Sequence, residues 1–256
     1  MAYDAETMES FAADAAQVVS RYPDLNSALL PLLHLVQSVD GYVSPTGIEF
    51  CAQTLGLSTA EVSAVATFYT QYKRRPNGEY TVGVCTNTLC AIMGGDEIFR
   101  SLSDRLGVGH DETTDDGVVT LERLECNAAC DYAPVMMINW EFFDNQTPES
   151  AAATVEKLRR GEPVAPTRGA ASVSSFRATS RVLAGFTDGR AGEGVAAGPA
   201  SLRGLELARA KGWTAGGEET SAEAGGAKSE PQPGGEHSSV DRPAADPTSD
   251  GKGDAK

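Results

Sequence analysis

The sequence predicts an α+β chain: an N-terminal helical bundle, then a small α/β sheet domain, then a disordered C-terminal tail. Three observations predict it. Apolar residues recur at helical spacing as far as Tyr72. From Tyr80 the pattern switches to short β-branched and aromatic runs separated by turn residues. The last 91 residues, from Pro166, hold sixteen of the 27 glycines and six of the 13 prolines but only three aromatics. So few large apolar groups cannot offset the entropy lost on ordering a chain. The divisions are therefore 1–76 for the bundle, 77–165 for the sheet domain and 166–256 for a low-complexity, mostly disordered tail.

Residues 7–21 form the first predicted helix, with Met8, Phe11, Ala12, Ala15, Val18 and Val19 on one stripe and Pro23 beyond its end. The second covers 27–39. Ser27 can cap it, Pro31 is tolerated only near its first turn, and Gly41 closes it. Apolar groups lie on nearly all its sides, as in a helix buried among others. A third helix covers 45–54, ahead of Gly56. Ser58-Thr59-Ala60-Glu61 is a capping-box pattern before a fourth run, Val62 to Tyr72. The basic stretch Lys73-Arg74-Arg75-Pro76 leads into an Asn77-Gly78 turn.

Tyr80 to Val84 reads as a strand running into Cys85, and 94–106 as a helix with Ile98, Phe99, Leu102 and Leu106 on one face. Gly94-Gly95 frees the backbone at its start. A polar loop from Gly107 to Gly117 carries Asp111, Glu112, Asp115 and Asp116. It lacks the EF-hand pattern, so it reads as a solvated loop. Val118 to Leu124 is a strand ending at a second cysteine pair, and Val135–Ile138 with Glu141–Phe143 makes a hairpin. Thr147-Pro148-Glu149 opens a last helix that Gly161 stops. In the tail, Leu202 to Ala210 with Trp213 has the pattern of a transient helix.

Net charge is −15, and residues 1–165 hold 24 acidic against 10 basic side chains. Phosphate-backbone binding needs the opposite sign, which argues against a nucleic-acid partner. The first residues lack the basic and apolar regions of a signal peptide, and no apolar run approaches the roughly 20 residues of a membrane span. The expectation is a soluble, cytoplasmic protein with no direct membrane insertion. In a reducing compartment, clustered cysteines bind metal or do redox work more often than they form disulfides.

The clusters are Cys85-Thr-Asn-Thr-Leu-Cys90 and Cys126-Asn-Ala-Ala-Cys130, that is C-x4-C, 35 residues, then C-x3-C. Bunched thiolates are soft ligands that select zinc, copper(I) or iron–sulfur clusters. Zinc usually takes tighter knuckles, often with histidine. His34, His110 and His237 lie far from both pairs in sequence. A two-iron, two-sulfur unit needs two thiolates on each iron, which two separated pairs supply. Thiol–disulfide exchange would want C-x-x-C before a helix. The pairs sit in loops just beyond strand ends in this reading. Cys51, alone on a helix, reads as a buried inert thiol, and His34 as a hydrogen-bonded core or interface histidine. No G-x-G-x-x-G follows a strand, and no phosphate-binding G-x4-G-K-[ST] occurs.

From Tyr22 to about Arg160 the chain resembles the 24 kDa subunit family of respiratory NADH:quinone oxidoreductase (complex I), whose bacterial members are called the E subunit. The stretches that carry it are Ser27 to His34, Val65 to Thr70, Cys85 to Cys90, Glu125 to Cys130 and Ala133 to Asn139. The resemblance implies a helical bundle followed by a thioredoxin-like domain, with one [2Fe-2S] cluster on Cys85, Cys90, Cys126 and Cys130. It implies electron transfer within the NADH dehydrogenase module, with FMN and NADH on a partner flavoprotein subunit and not on this chain. The chain alone should not oxidise NADH. The iron–sulfur subunit of the peripheral arm is the other implied partner, and the place is peripheral, on the cytoplasmic side of the inner membrane. Members often have glycine where this chain has Ala128-Ala129, and alanine, favouring negative φ, would change the loop locally. Pro134 falls where thioredoxin-like folds place a cis-proline. The alternatives are the equivalent subunit of a soluble NAD-linked formate dehydrogenase or hydrogenase, a zinc-bound bridging subunit, and a thiol–disulfide oxidoreductase.

Overall fold

Four helices precede the sheet, and each begins or ends where its sequence carries a stop signal. The computed structural model describes residues 3–214. Helix α1 spans Ala5–Val19, capped by the Asp4 carboxylate on the Thr7 N–H. A 3₁₀ turn, Leu25–Ala28, leads into α2, Leu29–Asp40, which Gly41 ends in the left-handed conformation. Helix α3 is Pro45–Leu55, and α4 is Thr59–Phe68 with the Ser58–Glu61 capping box formed in both directions. Helix α4 ends four residues before the predicted Tyr72. Leu32, Leu33, Leu35 and Val36 of α2 are fully buried against Phe11, Cys51, Leu55 and Val62, which makes α2 the centre of the bundle.

The sheet domain contains β1 (Tyr80–Cys85), α5 (Thr88–Ile92), α6 (Gly95–Leu106), β2 (Glu112–Thr113), β3 (Val119–Leu124), β4 (Met136–Ile138), β5 (Glu141–Phe143) and α7 (Pro148–Arg159). Strand order is β2-β3-β1-β4-β5. β1 and β3 run parallel, with Cys85 opposite Leu124, and the other pairs are antiparallel. Val82, Val84, Leu121, Met136 and Ile138 share a core with Ile98 and Leu102 of α6 and Val155 of α7. By strand alternation, Thr81, Gly83, Thr120 and Glu122 point to the opposite face. There Glu122 meets Lys73, which follows α4, in a buried ion pair that joins bundle to sheet. The acidic loop is partly built in. Asp111 lies 4.0 Å from the Lys73 ammonium, and Asp116 accepts from Thr114 Oγ1, the Val118 N–H and Arg159.

The segment from 166 departs from the expected tail. Helix α8, Phe176–Leu183, is capped by Ser175 and fully buries Phe176. The Phe176 N–H donates to the Glu79 carbonyl at 2.7 Å, and its ring stacks on Trp140 at 5.8 Å between centroids. The Arg177 guanidinium caps the end of α2 on the Val39 and Asp40 carbonyls, and Arg181 pairs with Asp14 of α1 at 2.6 Å. One buried aromatic and three directed arginine contacts therefore order a segment whose average composition is poor in apolar groups. Helix α9, Pro199–Ala210, follows where a transient helix was expected, and buries no residue. The expected disorder of 215–256 lies outside the described residues.

Candidate metal centre

β1 and β3 are parallel neighbours, so both cysteine pairs follow from the same end of the sheet. Cys85 is the last residue of β1, and Cys90 lies on α5. The first pair is thus held by a strand end and a short helix, and not by a loop. Cys126 follows β3 by two residues, and Cys130 opens a 3₁₀ turn, Cys130–Tyr132. Cys85 and Cys90 are buried with Ala129, Ala133 and Val135, while Cys126 and Cys130 are exposed. Gly95 is required at the start of α6. A Cβ there would stand 2.4 Å from the Cys85 carbonyl oxygen and 2.9 Å from that of Cys90. Gly94, before it, has φ +115°, as its place at the helix start requires.

The Cys126 and Cys130 sulfurs are 3.4 Å apart. Two thiolates on one tetrahedral ion, with bonds of about 2.3 Å, stand about 3.7 Å apart, so this pair can grip one metal ion with little movement. Among the described residues, no three His, Cys, Asp or Glu side chains gather around one point. The donors come as pairs, the arrangement a two-iron unit takes. Burial pushes the Cys90 thiol up to about 11, against a lowering by the Val135 N–H, and Cys85 and Cys130 raise it further. The Cys130 thiol is raised first by its hydrogen bond and charge interaction with Cys126. Raised Cys90 and Cys130 thiols favour the thiolate form only with a cation beside them.

Backbone N–H groups also address the sulfurs. Ala128 has φ +56° and directs its N–H to the Cys126 sulfur at 3.4 Å. The expectation that alanine would keep φ negative and reshape the loop is corrected, since Ala128 takes the left-handed conformation that glycine adopts freely. The Ala133–Pro134 bond is cis, as the resemblance implied. Cys51 is buried, and burial pushes its thiol up to about 12, as an inert thiol requires. His34 is buried against Tyr72, with ring centroids 4.9 Å apart, but its Nδ1 has no hydrogen-bond partner, contrary to the hydrogen-bonded histidine expected.

Residues 15–159 match the family model of the thioredoxin-like [2Fe-2S] ferredoxins. The chain belongs to this family. It is 62% identical over 208 residues to the E subunit of the NADH-quinone oxidoreductase of Mycobacterium tuberculosis (strain ATCC 25618 / H37Rv), covering 81% of this chain and 82% of that one. It is 37% identical over 148 residues to the corresponding NADH-quinone oxidoreductase chain of Rickettsia bellii (strain RML369-C), covering 57% of this chain and 89% of that one. Among solved structures, the NAD+-reducing [NiFe]-hydrogenase in the air-oxidized state aligns with a TM-score of 0.48 at 20% identity, over 53% of this chain and 23% of that chain.

The family's cofactor is one [2Fe-2S] cluster, and the donor set fits it: four sulfurs in two pairs, no histidine among them, and one pair sheltered from water. Spacing alone made the cysteines legible. The Ala128 and Val135 N–H groups were not, because backbone direction leaves no mark in composition. Helix α5 was also missed, since five residues show no helical period. It turns Cys90 inward and leaves Leu89, Ile92 and Met93 exposed beside the centre.

Proposed function

We propose that Cys85, Cys90, Cys126 and Cys130 hold one [2Fe-2S] cluster, and that the chain is the electron-transfer subunit of the NADH dehydrogenase module of a respiratory NADH-quinone oxidoreductase. When bound, the cluster takes up and releases one electron at a time. The observation that carries the reading is the delivery of two cysteine pairs by adjacent parallel strands within the region matched to the ferredoxin family. The buried pair keeps water from one side of the centre, and the exposed pair gives an electron a short path to a partner. Both named relatives, from Mycobacterium tuberculosis and Rickettsia bellii, are the E subunits of NADH-quinone oxidoreductases, which supports the same assignment here.

FMN and NADH are assigned to a partner flavoprotein subunit, and the iron–sulfur subunit of the peripheral arm is the second partner. The exposed apolar side chains of Leu89, Ile92 and Met93 support docking of a protein beside the centre. Among the described residues, no helix is long and apolar enough to cross a membrane. That fits a peripheral place on the cytoplasmic side of the inner membrane, held by partners.

Iron, sulfide and zinc content of the purified chain tests the assignment, with electron paramagnetic resonance after anaerobic dithionite reduction. Two irons, two sulfides and a spin-½ signal are expected. Zinc without a signal in an anaerobically prepared sample would make the chain a structural bridge and remove the electron-transfer role.

A further inference from the structure

One side chain from beyond the family-matched region reaches back to the cysteine loops. Arg168 is nearly buried, and so is its partner Asp144. Its Nε and Nη2 donate to the Asp144 carboxylate at 3.0 and 3.3 Å, and Nη1 donates to the Ala196 carbonyl at 3.0 Å. The guanidinium carbon lies 3.9 Å from the centre of the Phe142 ring and 5.2 Å from that of Tyr132. Those two rings are the partly buried groups packed against Cys85, Cys90, Ala129, Ala133 and Val135.

Tyr132 belongs to the same 3₁₀ turn as Cys130. Its carbonyl accepts the Asn145 N–H at 2.8 Å, and its hydroxyl accepts the Ala200 N–H at 3.0 Å, at the start of α9. Thr167, next to Arg168, donates its hydroxyl to Asp144 at 2.9 Å and its N–H to the Phe142 carbonyl at 2.9 Å. The turn that carries Cys130 is therefore gripped from outside by residues 167–200.

A buried ion pair contributes little net stability, since desolvation opposes its Coulomb attraction. What it supplies here is a fixed direction for a planar cation, and aromatic faces hold such a cation by their negative charge density. We propose that Arg168 is a positioning residue for the metal centre. Clamped by Asp144, it holds the Tyr132 and Phe142 rings, and through Tyr132 it fixes the turn that presents the Cys130 sulfur. This rests on the cluster assignment above. Groups that orient metal ligands from the second layer typically change metal affinity about 10–100-fold when removed.

The test is release of iron from the full chain to a chelator, timed by loss of visible absorbance, with the g-values of the reduced sample as a second reading. In Arg168→Gln, release is expected to be about tenfold faster, with shifted g-values. Tyr132→Leu should match it, and the double variant should add nothing further, because both changes cut the same connection. Tyr132→Phe, which keeps the ring, should stay near the wild-type rate. Arg168→Lys keeps the charge, loses the planar stack and answers the case in which the glutamine variant does not fold; faster release is expected there too. Wild-type release and g-values in the folded arginine variants would overturn the proposal, even with a lowered melting temperature. Additive effects of the Arg168 and Tyr132 changes would also overturn it. A wild-type chain without iron would sink the cluster assignment itself, a failure distinct from a loaded wild-type chain with indifferent variants.

Discussion

Ala128 sits at φ +56° with its N–H on the Cys126 sulfur. A non-glycine residue in that region carries a cost of about 1–2 kcal/mol, partly offset because alanine restricts the unfolded chain more than glycine does. Ala128→Gly should therefore stabilise the chain by about 0.5–1 kcal/mol in urea unfolding, and a loss of stability would refute the reading of this loop. His34 offers a pH prediction. Burial alone holds its imidazole down at about 4, below the ordinary value of about 6.5. The unfolded state then takes up the proton first. His34 leaves stability at its full value above about pH 6.5, and that stability falls as pH drops toward 4. The loss amounts to about 2 kcal/mol at pH 5. Unfolding free energies at pH 7.5 and pH 5 should differ by about that much in the wild type and by much less in His34→Leu. Equal pH dependence in the two proteins would mean that His34 titrates normally. Neither residue's state was legible in the sequence. The cysteine spacing was, because ligand number is written in residue identity, whereas φ and an unmatched ring nitrogen depend on what packs nearby.

Helix α8 is the element that composition concealed. Averaged over 166–256, the chain is too poor in apolar groups to order, yet one phenylalanine and two arginines do so locally. Phe176 is buried and stacks on Trp140, Arg177 caps α2, and Arg181 reaches α1. Only Phe176 and Ser180 of this helix are buried, and Ser180 is polar, so a single buried apolar residue sets up no helical repeat to read from sequence. Strand β2, with two residues, failed to register for the same reason, whereas the long runs of α1, α2 and α6 and the alternation in β1 and β3 showed clearly. Truncating a buried phenylalanine removes its transfer free energy and leaves a cavity, a cost of about 3–5 kcal/mol. Phe176→Ala should lower unfolding free energy by that amount and expose the 166–186 segment to protease. Arg177→Ala should cost about 1 kcal/mol through the lost α2 cap. A near-neutral Phe176→Ala would show that α8 lies on the bundle without holding it.

At the scale of the whole molecule, charge sets the direction in which the centre is tuned. Four thiolates give an oxidised [2Fe-2S] unit a charge of −2, and the described residues 3–214 carry 27 acidic against 17 basic side chains, a net charge of the same sign. Both disfavour adding an electron. The N–H groups of Ala128 and Val135 act the other way, since hydrogen bonds to the sulfurs proposed as ligands would stabilise the reduced form, but they are local beside the summed field. The midpoint potential should therefore lie below zero. It should also rise with salt, because ions screen distant surface carboxylates, with a screening length of about 10 Å at 0.1 M and about 3 Å at 1 M, while leaving the buried donors untouched. A redox titration at both ionic strengths separates the contributions. A midpoint well above zero would overturn the electrostatic argument. A low midpoint that ignores salt would assign the low value to the cysteine ligands and their burial, and free the acidic surface for another task, the steering of a basic partner.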